Sequence, residues 1–400
     1  MRHVARCWVL MGLAAFWVVF CMGCGPKEPD QTGLVPLPEK ETKKLLQSLN
    51  STGQGLPSWE DLAASIQRSL AALDARDGKQ MLLQTPNLQL TVHDVQTSLR
   101  HMLTILPELG SDPNLLSREF ACYELRPAPL FTGYYEPRLQ ASLQRMPGYP
   151  YPLYSRPKDL QRLDLGRFHP RWKGQNLVYR IEDNKVVPYH TRAEIDRYNA
   201  LDGKAEVVAW LRDPVEAFFL HIQGSGQLEL PDGRTTYVGY AGKNGHEYVS
   251  LGRVLVDRGH MDYAGLSMQS IQAFLEHNPE LMPDILFTNP SYVFFELRAD
   301  GPYGAMGQKL TPMVSLATDP SVIPLGALVA MEVDLPGDQS EDTLVGLGLA
   351  QDVGGAIKGR HVDLYCGSGH QAGRLAGRLK NRGRLVLLVS KSALPSANLK

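Results

Sequence analysis

Five short apolar segments crowd the last hundred residues: VSLAT, ALVAMEVDL, VGLGLAQDV, HVDLYC and RLVLLVS. One helix, around Ala372, Leu375 and Leu379, fits between them. Strands this short, mostly with tight connections, predict a small closed barrel. The chain as a whole has 400 residues, more than one compact core usually organises, so about two domains plus a tail are expected.

Helices lead the folded part. Ser58 with Asp61 forms a capping box ahead of the apolar stripe Leu62, Ile66, Leu70 and Leu73, and Thr91 with Asp94 repeats it before Val95, Leu99 and Met102. Near residue 130 the texture shifts to aromatics, prolines and glycines, beginning with FTGYYEPRLQAS. Pieces such as FFLHIQGSGQLEL and RTTYVGYAG read as strands. Two helical patterns interrupt them, one through Tyr248, Leu251 and Leu255 ending at Gly259, the other through Met268, Ile271 and Leu275 ending at Asn278-Pro279.

The N-terminus carries Arg2 and Arg6 and then WVLMGLAAFWVVFCMGCG, an apolar run of signal-peptide type over residues 1–23. Met22-Gly23-Cys24 resembles a bacterial lipobox, with Gly23 before the cysteine to be acylated; Cys21 competes with Cys24 as the marked residue, and an ordinary cleaved signal is the plainer alternative. A Pro/Gly/charged tether is expected over 24–40. The formal charge of −1 provides no basic footprint for nucleic acid. Beyond the signal only Cys122 and Cys366 remain, which is no disulfide framework; they are a single pair or two buried thiols.

The segment AQDVGGAIKGRHVDLYCG, residues 350–367, holds two aspartates eleven positions apart. In RHVDLYC, alternation puts Val362 and Leu364 toward a core and His361, Asp363 and Tyr365 on the other face. A carboxyl there is partly desolvated, which raises its pKa toward that of a working acid. Asp352 ends the preceding strand, and Gly354 and Gly355 let backbone amides approach a ligand. The plain alternative is that both aspartates serve turns and backbone hydrogen bonds. His361, Asp363, Cys366 and His370 are of zinc-ligand type, yet their spacing needs both faces of a strand and the following helix, and no metal is expected.

DVGGAIKGRHVDLY, together with ATDPSVIPLG at 317–326, resembles the three-aspartate module of bacterial cell-wall enzymes, in the order Asp319, Asp352, Asp363. FTGYYEP, HIQGSGQ, YAGKNGHEY and NPSYVFF resemble, in order, the motifs of the membrane-bound lytic murein transglycosylase A family, over about residues 115 to 390. The resemblance implies a mainly β fold with helices: a double-psi β-barrel built from 41–135 and 290–400, a smaller β domain inserted over 136–289, and a groove between them. It also implies cleavage, without water, of the β-1,4 bond between N-acetylmuramic acid and N-acetylglucosamine, leaving 1,6-anhydromuramic ends. His361-Val362-Asp363 stands where related barrels carry an H-F-D pattern, which makes Asp363 the expected catalytic acid and base, with Asp352 and Asp319 supporting.

One carboxyl suffices for that reaction, whereas ordinary glycosidases use two. Thr132, Tyr134, Tyr135, Gln223, Ser225, Tyr240, Gly242, Lys243, Gly354, Gly355 and Lys358 are the expected groove lining, against the alternative of sheet packing and turn chemistry; Lys358 either pairs with Asp352 or is solvated. His246 and His370 are expected to be structural or surface residues. Glu136 keeps open a two-carboxylate hydrolase, and an expansin-like wall-binding lipoprotein is the non-catalytic alternative. Peptidoglycan strands are the expected partner and the outer membrane the expected support, through lipid on Cys24, for a monomer without cofactor. Endo or exo action and protein partners stay open.

Overall fold

The structure, a computed structural model, describes residues 32–337 and 342–395. The expected signal peptide and Cys24 therefore lie outside the described residues. A nine-stranded mixed sheet runs in the order Gly33–Pro36, Phe120–Arg126, Arg384–Ser390, Leu328–Leu335, Asp342–Asp352, Ser315–Ala317, His361–Ser368, Leu130–Glu136 and Lys380–Arg382. Its ladder has two unpaired ends, so hydrogen bonding does not close the expected barrel. The strand Gly33–Pro36 pairs with Phe120–Arg126 and buries Leu34 and Val35, so the fold begins inside the stretch expected to be a tether.

This sheet is apolar on both faces, which explains continuous runs such as RLVLLVS. Val386 and Leu388 pack with Leu347, Leu349 and the helical residues Ile66, Leu73, Leu99 and Met102. Leu385 and Leu387, one position out of phase, join Phe131, Leu316, Val329, Val362 and Leu364 in a second cluster. The leading helices Ala63–Asp74 and Val92–Ile105 thus cover one face. The Thr91–Asp94 capping box forms at the start of the second, and the Ser58–Asp61 box precedes the first through a short 3-10 turn. A buried polar tie fixes the first helix to the sheet: Gln351 donates to the Ser65 carbonyl at 3.0 Å and to Ser69 at 2.8 Å, and accepts from Ser315 at 2.6 Å.

Between Glu136 and Asp300 the chain builds a six-stranded sheet, in the order Val293–Arg298, Thr235–Lys243, Gly226–Glu229, Arg138–Ser142, Val207–Leu211 and Tyr151–Tyr154, and a three-stranded one from Lys185–Pro188, Asn176–Glu182 and Gln161–Asp164. Val293–Arg298 belongs to the six-stranded sheet, beyond the edge expected at 289, because Val293 and Phe295 are buried in that sheet's own core. FFLHIQ is helical, not a strand: Pro214–Gln223 is one helix, capped by Asp213, whose carboxylate accepts from the amides of Val215 and Glu216, and ended by left-handed Gly224. Cys122 and Cys366 are free and buried, and burial pushes the Cys122 thiol up to about 12.

The helix Gly369–Arg378 lies on the strand Leu130–Glu136 so closely that glycine is required at 133: a β-carbon there would stand 2.7 Å from Ala376 Cα and 2.9 Å from Cys366 Sγ. Tyr135, next but one along that strand and hence on the same face, packs with Cys366, Ala372 and Ala376. Gly133→Ala is expected to lower unfolding free energy by about 1–3 kcal/mol through overpacking, read as a lower urea midpoint at unchanged slope.

Candidate functional site

Register brings the site together. Asp352 pairs with Ala317, Ala317 with Asp363, and Asp363 with Thr132, so four strands place these residues in one row across the sheet. Neighbouring strands lie about 4.8 Å apart, which sets the two aspartates' backbones roughly 10 Å apart with only the methyl of Ala317 between them. Ala317 is an unmarked residue in the sequence, and any larger side chain there would occupy the space between the two carboxyls.

Asp363 Oδ1 accepts a 2.6 Å hydrogen bond from the Thr132 hydroxyl, and Thr132 Oγ1 is also 2.9 Å from His361 Nε2. Burial, reinforced by the neighbouring charge of Asp352 and opposed by the Thr132 bond, pushes the Asp363 carboxyl up to about 7. Asp352 is held more firmly: Oδ1 accepts from the amides of Ala305 and Val353, each at 2.8 Å, and Oδ2 accepts from the Tyr134 hydroxyl at 3.0 Å. Burial still raises its pKa above the ordinary value against these three bonds. The Ala305 amide was not readable as a partner. It reaches Asp352 because Gly304 lies against the strand, where a β-carbon would stand 2.5 Å from the Gln351 carbonyl oxygen.

Asp319 stands apart from the pair. It accepts from the Ser321 amide and hydroxyl at 3.0 and 2.7 Å and from the Gly359 amide at 2.8 Å. Burial opposes ionisation, but these bonds and nearby Lys358 outweigh it and hold the carboxyl below its usual range. Asp319 therefore clamps the loop between Asp352 and His361. Lys358 is exposed, in keeping with the solvated alternative, and its charge acts on Asp319.

The alternation expected around Asp363 holds for Val362 and Leu364, at 2% and 0% exposure, but Tyr365 is also buried, at 2%. Its ring lies against Tyr134, with centroids 5.4 Å apart, and its hydroxyl is 3.3 Å from Ser368 Oγ. Tyr134 and Tyr135 separate onto opposite faces. The Tyr135 amide donates to Gln223 Oε1 at 3.1 Å, so that carbonyl is engaged in joining the Pro214–Gln223 helix to the strand. Ser225 and Gly242 are half-buried, Tyr240 is 51% exposed and Lys243 is exposed. Lys243 Nζ lies 3.9 Å from where a Gly355 β-carbon would stand, so the six-stranded sheet reaches the loop that follows Asp352; Gly354 sits in that loop against Ile357. His246 Nε2 contacts the Tyr189 carbonyl at 2.7 Å, and His370 is exposed.

Glu136 is buried at 3% exposure, accepts from Ser368 Oγ at 2.9 Å, and leaves Oε1 without a hydrogen-bond partner among the described residues. It stands four residues along the strand from Thr132, about 13 Å of backbone at strand rise. No group of three or more His, Cys, Asp or Glu among the described residues is arranged to hold a metal ion. An open recess lined by His260, Asp262, Phe274 and Asn278 contains none of the candidate residues.

The raised pKa of Asp363 has a consequence for folding. Unfolded, the group titrates near 3.9. Between about pH 4 and pH 7 the native chain therefore keeps a proton that the unfolded chain has released, and this group's contribution makes stability fall as pH rises through that window, then level off. Asp363→Asn removes the effect: urea midpoints of variant and parent should agree near pH 4 and diverge toward pH 8, with the variant more stable by on the order of 4 kcal/mol.

Residues 130–296 match the family described as the MltA specific insert domain, and residues 314–389 match the 3D domain. Membrane-bound lytic murein transglycosylase A of Escherichia coli K12 is 35% identical over 264 residues, which is 64% of this chain and 65% of that relative, just under two thirds of its length. A crystal structure of MltA from Neisseria gonorrhoeae, in a monoclinic form, superposes with a TM-score of 0.68 at 31% identity, covering 91% of this chain and 98% of that one. E. coli MltA with bound chitohexaose gives a TM-score of 0.64 at 28% identity, over 82% and 90% of the two chains. The likeness to the gonococcal structure spans nearly all of that chain at 31% identity, and on that ground the chain belongs to the membrane-bound lytic murein transglycosylase A family.

Proposed function

We propose that the protein is a lytic transglycosylase that cleaves the β-1,4 bond between N-acetylmuramic acid and N-acetylglucosamine in peptidoglycan, with Asp363 as its single acid and base. The observation that carries this reading is the state of Asp363: a largely buried carboxyl, raised to about 7, whose one hydrogen-bond partner among the described residues is a hydroxyl. Such a group is protonated for part of the population at neutral pH and, once it has given its proton away, is a better base than an ordinary carboxylate.

In this mechanism protonated Asp363 donates to the glycosidic oxygen as the bond from that oxygen to C1 of muramic acid breaks. The resulting carboxylate takes the proton from the C6 hydroxyl of the same sugar while that oxygen bonds to C1. The proton count balances, no water is consumed, and the product is a 1,6-anhydro ring. Because the nucleophile belongs to the sugar, its effective concentration is high and the enzyme gains nothing from a second carboxylate. Asp352, its oxygens occupied by two amides and the Tyr134 hydroxyl, supplies a fixed negative field beside the acid.

The fold reading goes with it. The nine-stranded sheet is taken as a double-psi β-barrel, supported by its mixture of parallel and antiparallel pairs around one apolar cluster. The glycan would lie between this sheet and the six-stranded one, where Tyr240 and Lys243 offer a ring face and a cation on the side opposite Gly355. The chitohexaose held by the E. coli relative is a chain of β-1,4-linked sugars, which suits a groove of this kind. Attachment to the outer membrane through Cys24 accords with the relatives' description as membrane-bound; among the described residues no helix is long and apolar enough to cross a membrane.

The test is mass spectrometry of products released from purified peptidoglycan. Muropeptides lighter by one water than hydrolysis products are expected, reduced about 10²–10⁴-fold in rate by Asp363→Asn and retained in Glu136→Gln. Hydrated reducing ends would overturn the reading in favour of two-carboxylate hydrolysis, and binding without release would favour a wall-binding protein.

A further inference from the structure

Thr132 has one hydroxyl proton and two neighbours able to accept it, Asp363 Oδ1 at 2.6 Å and His361 Nε2 at 2.9 Å. The second ring nitrogen of His361, Nδ1, lies 3.3 Å from the Ala356 carbonyl oxygen, which can only accept. Burial holds the His361 ring below its usual pKa, the Ala356 contact opposing this only in part, so the ring carries a single proton near neutrality. On Nδ1 that proton satisfies Ala356 and leaves Nε2 as an acceptor, which takes the Thr132 proton. Thr132 Oγ1 then meets Asp363 with a lone pair, the reverse of the donation it makes to an ionised carboxyl, and in this arrangement the short contact is a hydrogen bond because Asp363 itself carries and donates a proton.

We infer that His361 is a positioning residue for the acid: acting through Thr132, it draws the hydroxyl proton away from Asp363 and thereby favours the protonated form of that carboxyl. The inference rests on the reading of Asp363 as the acid. In the protonated form every donor along Asp363, Thr132, His361 and Ala356 meets an acceptor. In the ionised form Thr132 must donate to Asp363 and His361 must donate from Nε2, which turns an unprotonated Nδ1 against the Ala356 carbonyl. The carboxylate state therefore leaves two acceptors facing each other. The charge that acts on Asp363 is that of Asp352, which works in the same direction, while Tyr134 and Cys366 feel the Asp363 charge in turn; the cation Lys380, paired in register with Thr132, is exposed to solvent.

The relay also accounts for the strand positions of its members. His361 and Asp363 share a face two residues apart, and the parallel neighbour strand sets Thr132 opposite Asp363. One hydroxyl can then reach both side chains.

The native protein provides the first test. ¹⁵N NMR of His361, just below the Asp363 titration, should show the Nδ1–H tautomer; an Nε2–H tautomer there would overturn the relay. The second follows the Asp363 carboxyl by ¹³C NMR, assigned by its loss in Asp363→Asn, alongside the alkaline limb of kcat/KM. His361→Phe should lower the Asp363 pKa by about one unit, roughly a tenfold change in the proton equilibrium, since Thr132 is then free to donate to the carboxylate. Loss of ring polarity alone would raise it. In a Thr132→Val background the same His361 change should leave the pKa where it was, and Thr132→Ser should preserve the parent value. An equal downward shift in both backgrounds, or none in either, would refute the role. The NMR readouts need no substrate, so failure of the relay and failure of the transglycosylase reading are separable.

Discussion

The parallel pairing of Leu130–Glu136 with His361–Ser368 is the constraint on which the site depends. It joins segments about 230 positions apart and fixes Thr132 opposite Asp363, while the antiparallel pairing on the other side of the same strand fixes Ala317 and, one strand further, Asp352. A one-residue slip of the His361–Ser368 strand would turn Asp363 into the apolar cluster formed by Val362 and Leu364, and a slip of either neighbour would take Thr132 or Ala317 out of the row. The helix Gly369–Arg378, seated on Gly133, and the Gln351 tie to Ser65 and Ser69 hold the row from opposite directions.

Within that frame the carboxyls are differentiated by what surrounds them. Asp352 is given two amides and a phenol, Asp319 two amides and a hydroxyl, and Asp363 a single hydroxyl whose proton is contested. The three differ in pKa direction accordingly: Asp319 is lowered, Asp352 raised, and Asp363 raised furthest. Asp352 and Asp319 each accept three bonds, so their opposite directions follow burial, which is deeper at Asp352, while the single hydroxyl at Asp363 leaves burial least opposed.

Much of this was legible in the sequence where the signal was local. The Ser58 and Thr91 capping boxes, the five C-terminal strands and the inward Val362 and Leu364 follow from spacing alone. FFLHIQ was misread because its apolar run hides a helical period; Asp213-Pro214 ahead of it was the available start signal. Tyr365 follows the outward phase of its strand yet is buried, since packing from outside the strand covers that face as well, a tertiary fact no alternation can report. Ala317 and the Ala305 amide carry no chemical mark, and their importance comes from register and from a loop laid close against a strand. The charge of Lys358 reaches Asp319 because the clamp folds the intervening loop back on itself.

The order of the row along the chain differs from its order in space. Thr132 precedes the six-stranded sheet, and the residues that complete the row, Ala317, Asp352 and Asp363, all follow it. During synthesis the N-terminal helices and the insert emerge first, and the acid acquires its neighbours only when nearly the whole chain is present. A growing or C-terminally clipped polypeptide that stops short of residue 361 has Tyr134 and Tyr240 but no Asp363, so the row is the last part of the site that the chain completes and the first that proteolysis from that end removes.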